Sequence, residues 1–135
     1  MSERTGDERL DRGRELAELH LGEGVVERWR SVNPDMEELT SAFGFGDLWS
    51  RPGLSRRDRS LVAMAITATL RASPQVGWHV RGALRAGVTP DEVREVLIAV
   101  SGLAGFPAAW TALEVAEPIL AEHEAGVDGA GGDAG

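Results

Sequence analysis

His79 is the side chain of this sequence best placed to move a proton near neutral pH, since an unperturbed imidazole titrates near ~6.5. Gln75 precedes it by four residues, one helical turn, so the two share a helix face. The Gln75 amide oxygen could accept a bond from the imidazole and fix its tautomer. Arg51 and Arg59 offer planar guanidinium forks that match a carboxylate. Trp49 and Phe106 are candidates to line a substrate pocket, and Trp78 and Trp110 add aromatic surface. Each residue has a plainer alternative. His79 also fits a core histidine on an apolar stripe, Arg59 a cap or surface ion pair, and each tryptophan ordinary packing. Arg81 lies two residues past His79, a rotation of roughly 200° on a helix, so it faces elsewhere and suits a structural or inter-subunit pair. His20 and His123 fall in polar segments and read as solvent-exposed; three histidines so far apart do not make a metal site.

Composition narrows the chemistry further. The chain has 135 residues, enough for one domain with a single core. Its formal net charge of -8 argues against nucleic acid or an anionic membrane surface as partner. Cysteine is absent, which excludes thiol nucleophiles and CxxC redox chemistry. Tyrosine is absent too, and all 14 basic residues are arginine. Without lysine no Schiff base can form, and lysine-anchored pyridoxal phosphate is excluded. No cofactor and no metal is expected. The N-terminus lacks the pattern of a signal peptide, and the longest nearly apolar run, 61–70, is too short to span a bilayer. A soluble, cytoplasmic protein is the expectation.

The elements that must position these residues read as helices throughout. A charged helix is expected from about Asp7 to Arg30, interrupted at Gly22 and Gly24. Asn33-Pro34 reads as an N-cap with proline at the first helical position, opening a short helix through Phe43. Residues 44–49 then read as a turn or substrate-lining loop. Ser55 and Asp58 suggest a capping box variant before a helix that is apolar on nearly all sides to about Ala72. Ser73-Pro74 repeats the N-cap signature. The helix it opens carries Val76, His79, Val80, Ala83 and Leu84 on one stripe and ends at Gly87. Thr89-Pro90-Asp91-Glu92 is the strongest local signal, with Val93, Val96, Leu97, Val100 and Leu103 as the inner face beyond it. Gly105 breaks the chain before a last helix with stripe Ala109, Trp110, Leu113, Ala116 and Leu120. The expected organisation is a flexible N-terminus at 1–6, a helical domain at 7–123 and a disordered glycine-rich tail at 124–135.

The middle of the chain resembles the carboxymuconolactone decarboxylase family, in its 4-carboxymuconolactone decarboxylase-like branch. The resemblance rests on Gly46-Asp47-Leu48-Trp49, Arg51-Pro52-Gly53-Leu54 and Arg59-Ser60-Leu61. It continues through His79-Val80-Arg81, Gly87-Val88-Thr89, Glu92-Val93 with Glu95-Val96, and Gly105-Phe106-Pro107-Ala108-Ala109. The related alkylhydroperoxidase D-like branch uses a CxxC pair that this chain lacks. The resemblance implies an all-α bundle of about six helices, alkylhydroperoxidase D-like in fold, assembling as a homotrimer or homohexamer. It also implies a cofactor-independent decarboxylase acting on 4-carboxymuconolactone or a similar small cyclic acid in aromatic compound metabolism, with His79 as proton donor. Polar positions depart from the family pattern: Gln75 stands where glutamate is expected, Phe43 where histidine is, and Ala99 and Leu103 where glutamine and tyrosine are. This thinner lining keeps two other readings open, an isomerase or cyclase of a natural-product pathway and a non-catalytic oligomeric binding protein.

Overall fold

The computed structural model describes the backbone of residues 2–134 and the side chains of residues 8–126. The loose N-terminus expected at 1–6 and most of the tail expected at 124–135 lie outside those described side chains. The fold is all-α, with no strand among the described residues. Seven α-helices are present there: α1 Ser2–Leu21, α2 Val25–Val32, α3 Pro34–Leu39, α4 Arg56–Thr69, α5 Ser73–Arg85, α6 Pro90–Ala104 and α7 Phe106–Ala134. A π-helical segment, Thr40–Trp49, continues α3. By its contacts the chain divides into two compact units, residues 1–59 and 60–135.

In the first unit the chain breaks where glycine allows it, with Gly22 at φ 110° and Gly24 at φ 91° between α1 and α2. Asn33 caps α3 as its position suggests, its side chain accepting from the Met36 amide at 2.8 Å. The expected loop at 44–49 is instead helical, wound with the wider π turn. The reason is its packing against α1. A Cβ on Gly13 would run into the Ser41 carbonyl, and one on Gly46 would come within 2.5 Å of the Arg9 carbonyl oxygen. Two backbones therefore meet where neither carries a side chain. Arginines of α1 then take carbonyls of the wide turn: Arg12 donates to Gly46 O through Nη2 at 3.1 Å and Nε at 3.3 Å, and Arg9 Nε reaches Ala42 O at 3.4 Å. Arg9 Nε also lies 3.0 Å from Asp47.

Beside this crossing sits a buried charge. Glu37 is 1% exposed, and Arg14 holds it with both arms of its fork, Nη2 to Oε1 at 2.7 Å and Nε to Oε2 at 3.1 Å. Ser41 Oγ donates to Oε2 at 2.6 Å. The hydrogen bond from Arg14, then that from Ser41, keep the Glu37 carboxyl below its ordinary titration range despite burial.

The second unit packs α7 against α5 and α6. Its core joins Met64 and Ala68 of α4, Val76, Val80 and Ala83 of α5, Val93, Leu97 and Val100 of α6, and Ala108, Ala112, Ala116 and Leu120 of α7. Thr89 and Glu92 close the expected reciprocal box at the start of α6, at 3.1 and 3.0 Å. Ser55 Oγ accepts from the Asp58 amide at 3.0 Å, half of the box expected ahead of α4. Ser73 does not cap α5: Ala72 occupies that position and Ser73 is the first helical residue. Glu124, at the start of the expected tail, is helical and pairs with Arg94 at 2.8 Å.

Several expected inner positions face outward. Leu103 is 99% exposed and Trp110 64%, because Val100 and Ala109 take the inward places beside them. Along α4 only Ser60, Met64 and Ala68 are fully buried, whereas Val62 and Ile66 are exposed, as is Leu70 just past the end of the helix. An exposed row, Val32, Met36, Leu39 and Phe43, follows the helical repeat through α3. The α4 helix is thus covered on one face within the chain, not on all sides.

Gly13→Ala is expected to be the most disruptive single-methyl addition in the first unit. The added carbon meets backbone, not the end of a flexible side chain. Its cost should lie at or above the upper end of the roughly 1–3 kcal/mol usual for overpacking. Gly102→Ala, which meets nothing, should stabilise α6 slightly. Urea titrations of the two variants check the contrast, and equal midpoints would contradict it.

Candidate active site

α5 carries His79 because its apolar positions fall at helical spacing, with Val76, Val80 and Ala83 buried against the core. His79 lies at the edge of that stripe, half-buried, with Gln75 one turn earlier and also half-buried. Burial pushes the His79 pKa down from 6.5 to about 4. The imidazole is therefore neutral at pH 7 in the unliganded chain. Trp78, next to it, is half-buried, and Arg81 points out to solvent, as its rotation around the helix requires.

Phe106 starts α7 and is 69% exposed. It lines a hollow of about 260 Å³ with Ile98, Ser101, Ala109, Trp110 and Leu113, an almost wholly apolar surface. Leu103 and Ala99, two positions where polar residues were expected, are exposed on α6 and do not line this hollow.

The other candidates belong to the first unit. Arg59 Nη2 donates to the Arg51 carbonyl at 3.2 Å and so ties down the turn after the π-helical segment. Its Nε is buried and has no hydrogen-bond acceptor among the described residues. Arg51 is exposed. Trp49 is half-buried, stacked on Phe45 with centroids 5.4 Å apart, and Phe45 in turn meets Trp29 at 6.0 Å. His20 was expected in solvent and is instead fully buried, its ring 4.2 Å from that of Trp49. It lies three residues after Ala17 and seven after Gly13, on the buried face of α1. That face was hidden in the sequence because glycine and alanine do not register as apolar bulk. His123 is exposed as expected.

Among the described residues no group of three or more histidines, cysteines or carboxylates could hold a metal ion. No described helix is long and apolar enough to cross a membrane. What the second unit presents is a neutral, shielded imidazole beside a primary amide, and a separate apolar hollow at the start of α7. Such an imidazole can accept a proton, donate a hydrogen bond, or become a strong acid once charged.

Helical architecture and sequence converge with known proteins. Residues 34–118 match the carboxymuconolactone decarboxylase family, and the chain belongs to that family. It is 36% identical over 118 residues to the 4-carboxymuconolactone decarboxylase of Acinetobacter baylyi, covering 84% of this chain and 88% of that protein. It is 34% identical over 127 residues to a nitrosuccinic acid decarboxylase of Metarhizium robertsii, covering 88% and 89% respectively. An uncharacterized 15.0 kDa protein of Paracoccus denitrificans is 39% identical over 96 residues, 70% of this chain and 69% of that one.

The depressed His79 pKa has a consequence for stability. The folded value, about 4, lies below the unfolded value of 6.5, so between them the unfolded chain binds more protons. Stability conferred by a neutral His79 is full above pH 6.5 and declines as pH falls toward 4. In His79→Gln this contribution is absent. The urea midpoint of the wild type should therefore fall more than that of the variant between pH 7 and pH 5. Parallel losses would show that His79 titrates normally in the folded chain.

Proposed function

We propose that this protein is a cofactor-independent decarboxylase of a small organic acid, with His79 as proton donor and Gln75 fixing its ring. The observation that carries this reading is the similarity, over most of the chain, to two relatives named as decarboxylases. Their named substrates share a chemical feature. In carboxymuconolactone a conjugated carbonyl, and in nitrosuccinic acid a nitro group, can receive the electron pair left when the carbon–carboxylate bond breaks. CO₂ departs, the pair rests on the carbonyl or nitro oxygens, and a proton is then delivered to carbon. The substrate supplies its own electron sink, so the protein need only bind, shield and protonate.

The roles follow from the side chains. Arg51 and Arg59 bind substrate carboxylates through their guanidinium forks. Trp49 and Phe106 contribute apolar lining. His79 must first acquire a proton, since it is neutral at pH 7. A carboxylate arriving beside it favours imidazolium, so the pKa rises in the complex. Substrate binding is thus coupled to proton uptake.

His79→Ala should lower kcat by roughly 10²–10⁴-fold while the helix content survives. The wild-type kcat/KM, which reports the free enzyme, should decline with rising pH from near 4. The kcat profile, which reports the complex, should hold to higher pH. Gln75→Glu places a negative charge one turn from the ring and should move both limbs upward. CO₂ release from carboxymuconolactone and from nitrosuccinate is the assay. A folded, fully active His79→Ala protein would remove His79 from the chemistry. Turnover of either compound without CO₂ would favour an isomerase on this scaffold.

The functional form in this proposal is a homo-oligomer, a trimer or hexamer. The exposed positions on α4 and α3, with Leu103, Phe106 and Trp110, leave large apolar side chains in water that a second copy would cover. Light scattering should return a multiple of 14.4 kDa at micromolar concentration. A monomer would contradict it.

A further inference from the structure

Residues 96–113, the end of α6 and the start of α7, form the longest run of this chain without an ionisable side chain, in a sequence whose net charge is -8. The apolar hollow of about 260 Å³ lies wholly within that run. Phe106, Trp110 and Leu113 follow the helical repeat along one side of α7, while Ile98 and Ser101 stand one turn apart on α6. Ala109 is the buried floor, and the rim stands in water: Phe106 is 69% exposed, Trp110 64% and Ile98 52%. The α7 stripe stops where charge resumes, at Glu117, which pairs with Arg94 at 2.9 Å. Copies of so acidic a chain repel one another over most of their surface, but that repulsion is screened beyond about 8 Å. A contact between copies is therefore favoured where no carboxylate stands, and residues 96–113 supply such a place. Phe106, Trp110 and Ile98 expose on the order of 400 Å² of apolar side chain. Doubled by a two-fold axis this is about 800 Å², the apolar share of an interface of roughly 1,200 Å², the lower end of the stable range.

We propose that this surface is a two-fold contact between copies of this chain, with Trp110 of each copy entering the hollow of the other. Such a contact is self-complementary, because the hollow and the side chain that fills it lie side by side on one surface. Ser101 Oγ donates to the Ile98 carbonyl at 2.6 Å and keeps its lone pairs free to accept from the incoming indole N–H. The inference rests on the homo-oligomer of the proposed function and adds its symmetry: the assembly holds an even number of copies.

Light scattering of the full-length protein should return an even multiple of 14.4 kDa. Trp110→Asp and, on the wall of the hollow, Ile98→Glu should each weaken the contact by roughly thirtyfold or more, as loss of a central aromatic anchor does, and halve the mass of the assembly. Both side chains face water in the single chain, so circular dichroism should be unchanged. A second measurement leaves the contact intact. Glu114→Cys, exposed one turn past Trp110 in a chain with no other cysteine, should be joined to its copy by a short bismaleimide. Glu23→Cys, exposed in the turn between α1 and α2, should not. An odd assembly, an unchanged mass in both charged variants, or equal coupling at the two cysteine positions would each overturn this contact and leave a homo-oligomer standing. A monomeric wild type would overturn both.

Discussion

Both units of this protein depend on helices that approach closely over small residues. In the first, Gly13 and Gly46 let α1 and the π-helical segment meet backbone to backbone. In the second, Ala108, Ala112 and Ala116 give α7 a smooth face toward Ala83 and the other core positions of α5 and α6. Interaxial distance is set by the side chains at the contact, so small residues bring the polar groups of neighbouring helices within reach. The arginines of α1 can cap carbonyls of the π segment only because the crossing is this tight. The same closeness buries Glu37, and its pairing with Arg14, Arg30 and Ser41 is what makes a charge tolerable there. Removing one partner would leave that carboxylate uncompensated, whereas the exposed network of Arg94 with Asp91, Glu117 and Glu124 can lose a member at little cost.

Helix starts were legible in the sequence where a side chain itself closes the end. Asn33 and the Thr89–Glu92 box are local devices, satisfied by residues within one turn, and they occur where their spacing indicates. Ser73 carried the same local signature without that role, because proline one residue on is compatible with either helical register. The π-helical segment was not legible. Gly44 and Gly46 favour a loop by propensity, and only contact with α1 makes the helical form the better one. Burial was read well for branched residues such as Val76, Val80, Val93 and Leu97, less well for large residues at stripe edges. Leu103 and Trp110 show why: periodicity assigns a face, but alanine at Ala108 and Ala109 can occupy the inward places and leave the bulkier neighbour outside.

The candidate site divides in the same manner. The one-turn spacing of Gln75 and His79 was readable because both fall within α5, whose helical form the sequence signals. The protonation state of His79 was not readable, since burial sets it and burial is a tertiary property. His20 illustrates the converse error: charged neighbours in sequence suggested solvent, while its actual neighbour is the ring of Trp49.

A neutral buried histidine is at first sight a poor proton donor, yet in the proposed reaction burial works in its favour. Desolvation that lowers the pKa also makes the imidazolium, once formed, a stronger acid. The substrate carboxylate supplies the negative charge that brings the proton onto the ring. Loss of CO₂ then removes that charge from beside the histidine and moves it onto the conjugated system. The imidazolium loses its counter-ion at the step in which its proton is needed, and it reverts to the neutral form that its environment prefers. Gln75 suits this cycle better than a carboxylate would. A glutamate there would hold the ring charged after CO₂ had left, whereas an amide can orient the ring without holding the proton on it. The replacement of an expected acid by an amide is in these terms compatible with turnover, and it shifts the work of charging the histidine from the protein to the substrate.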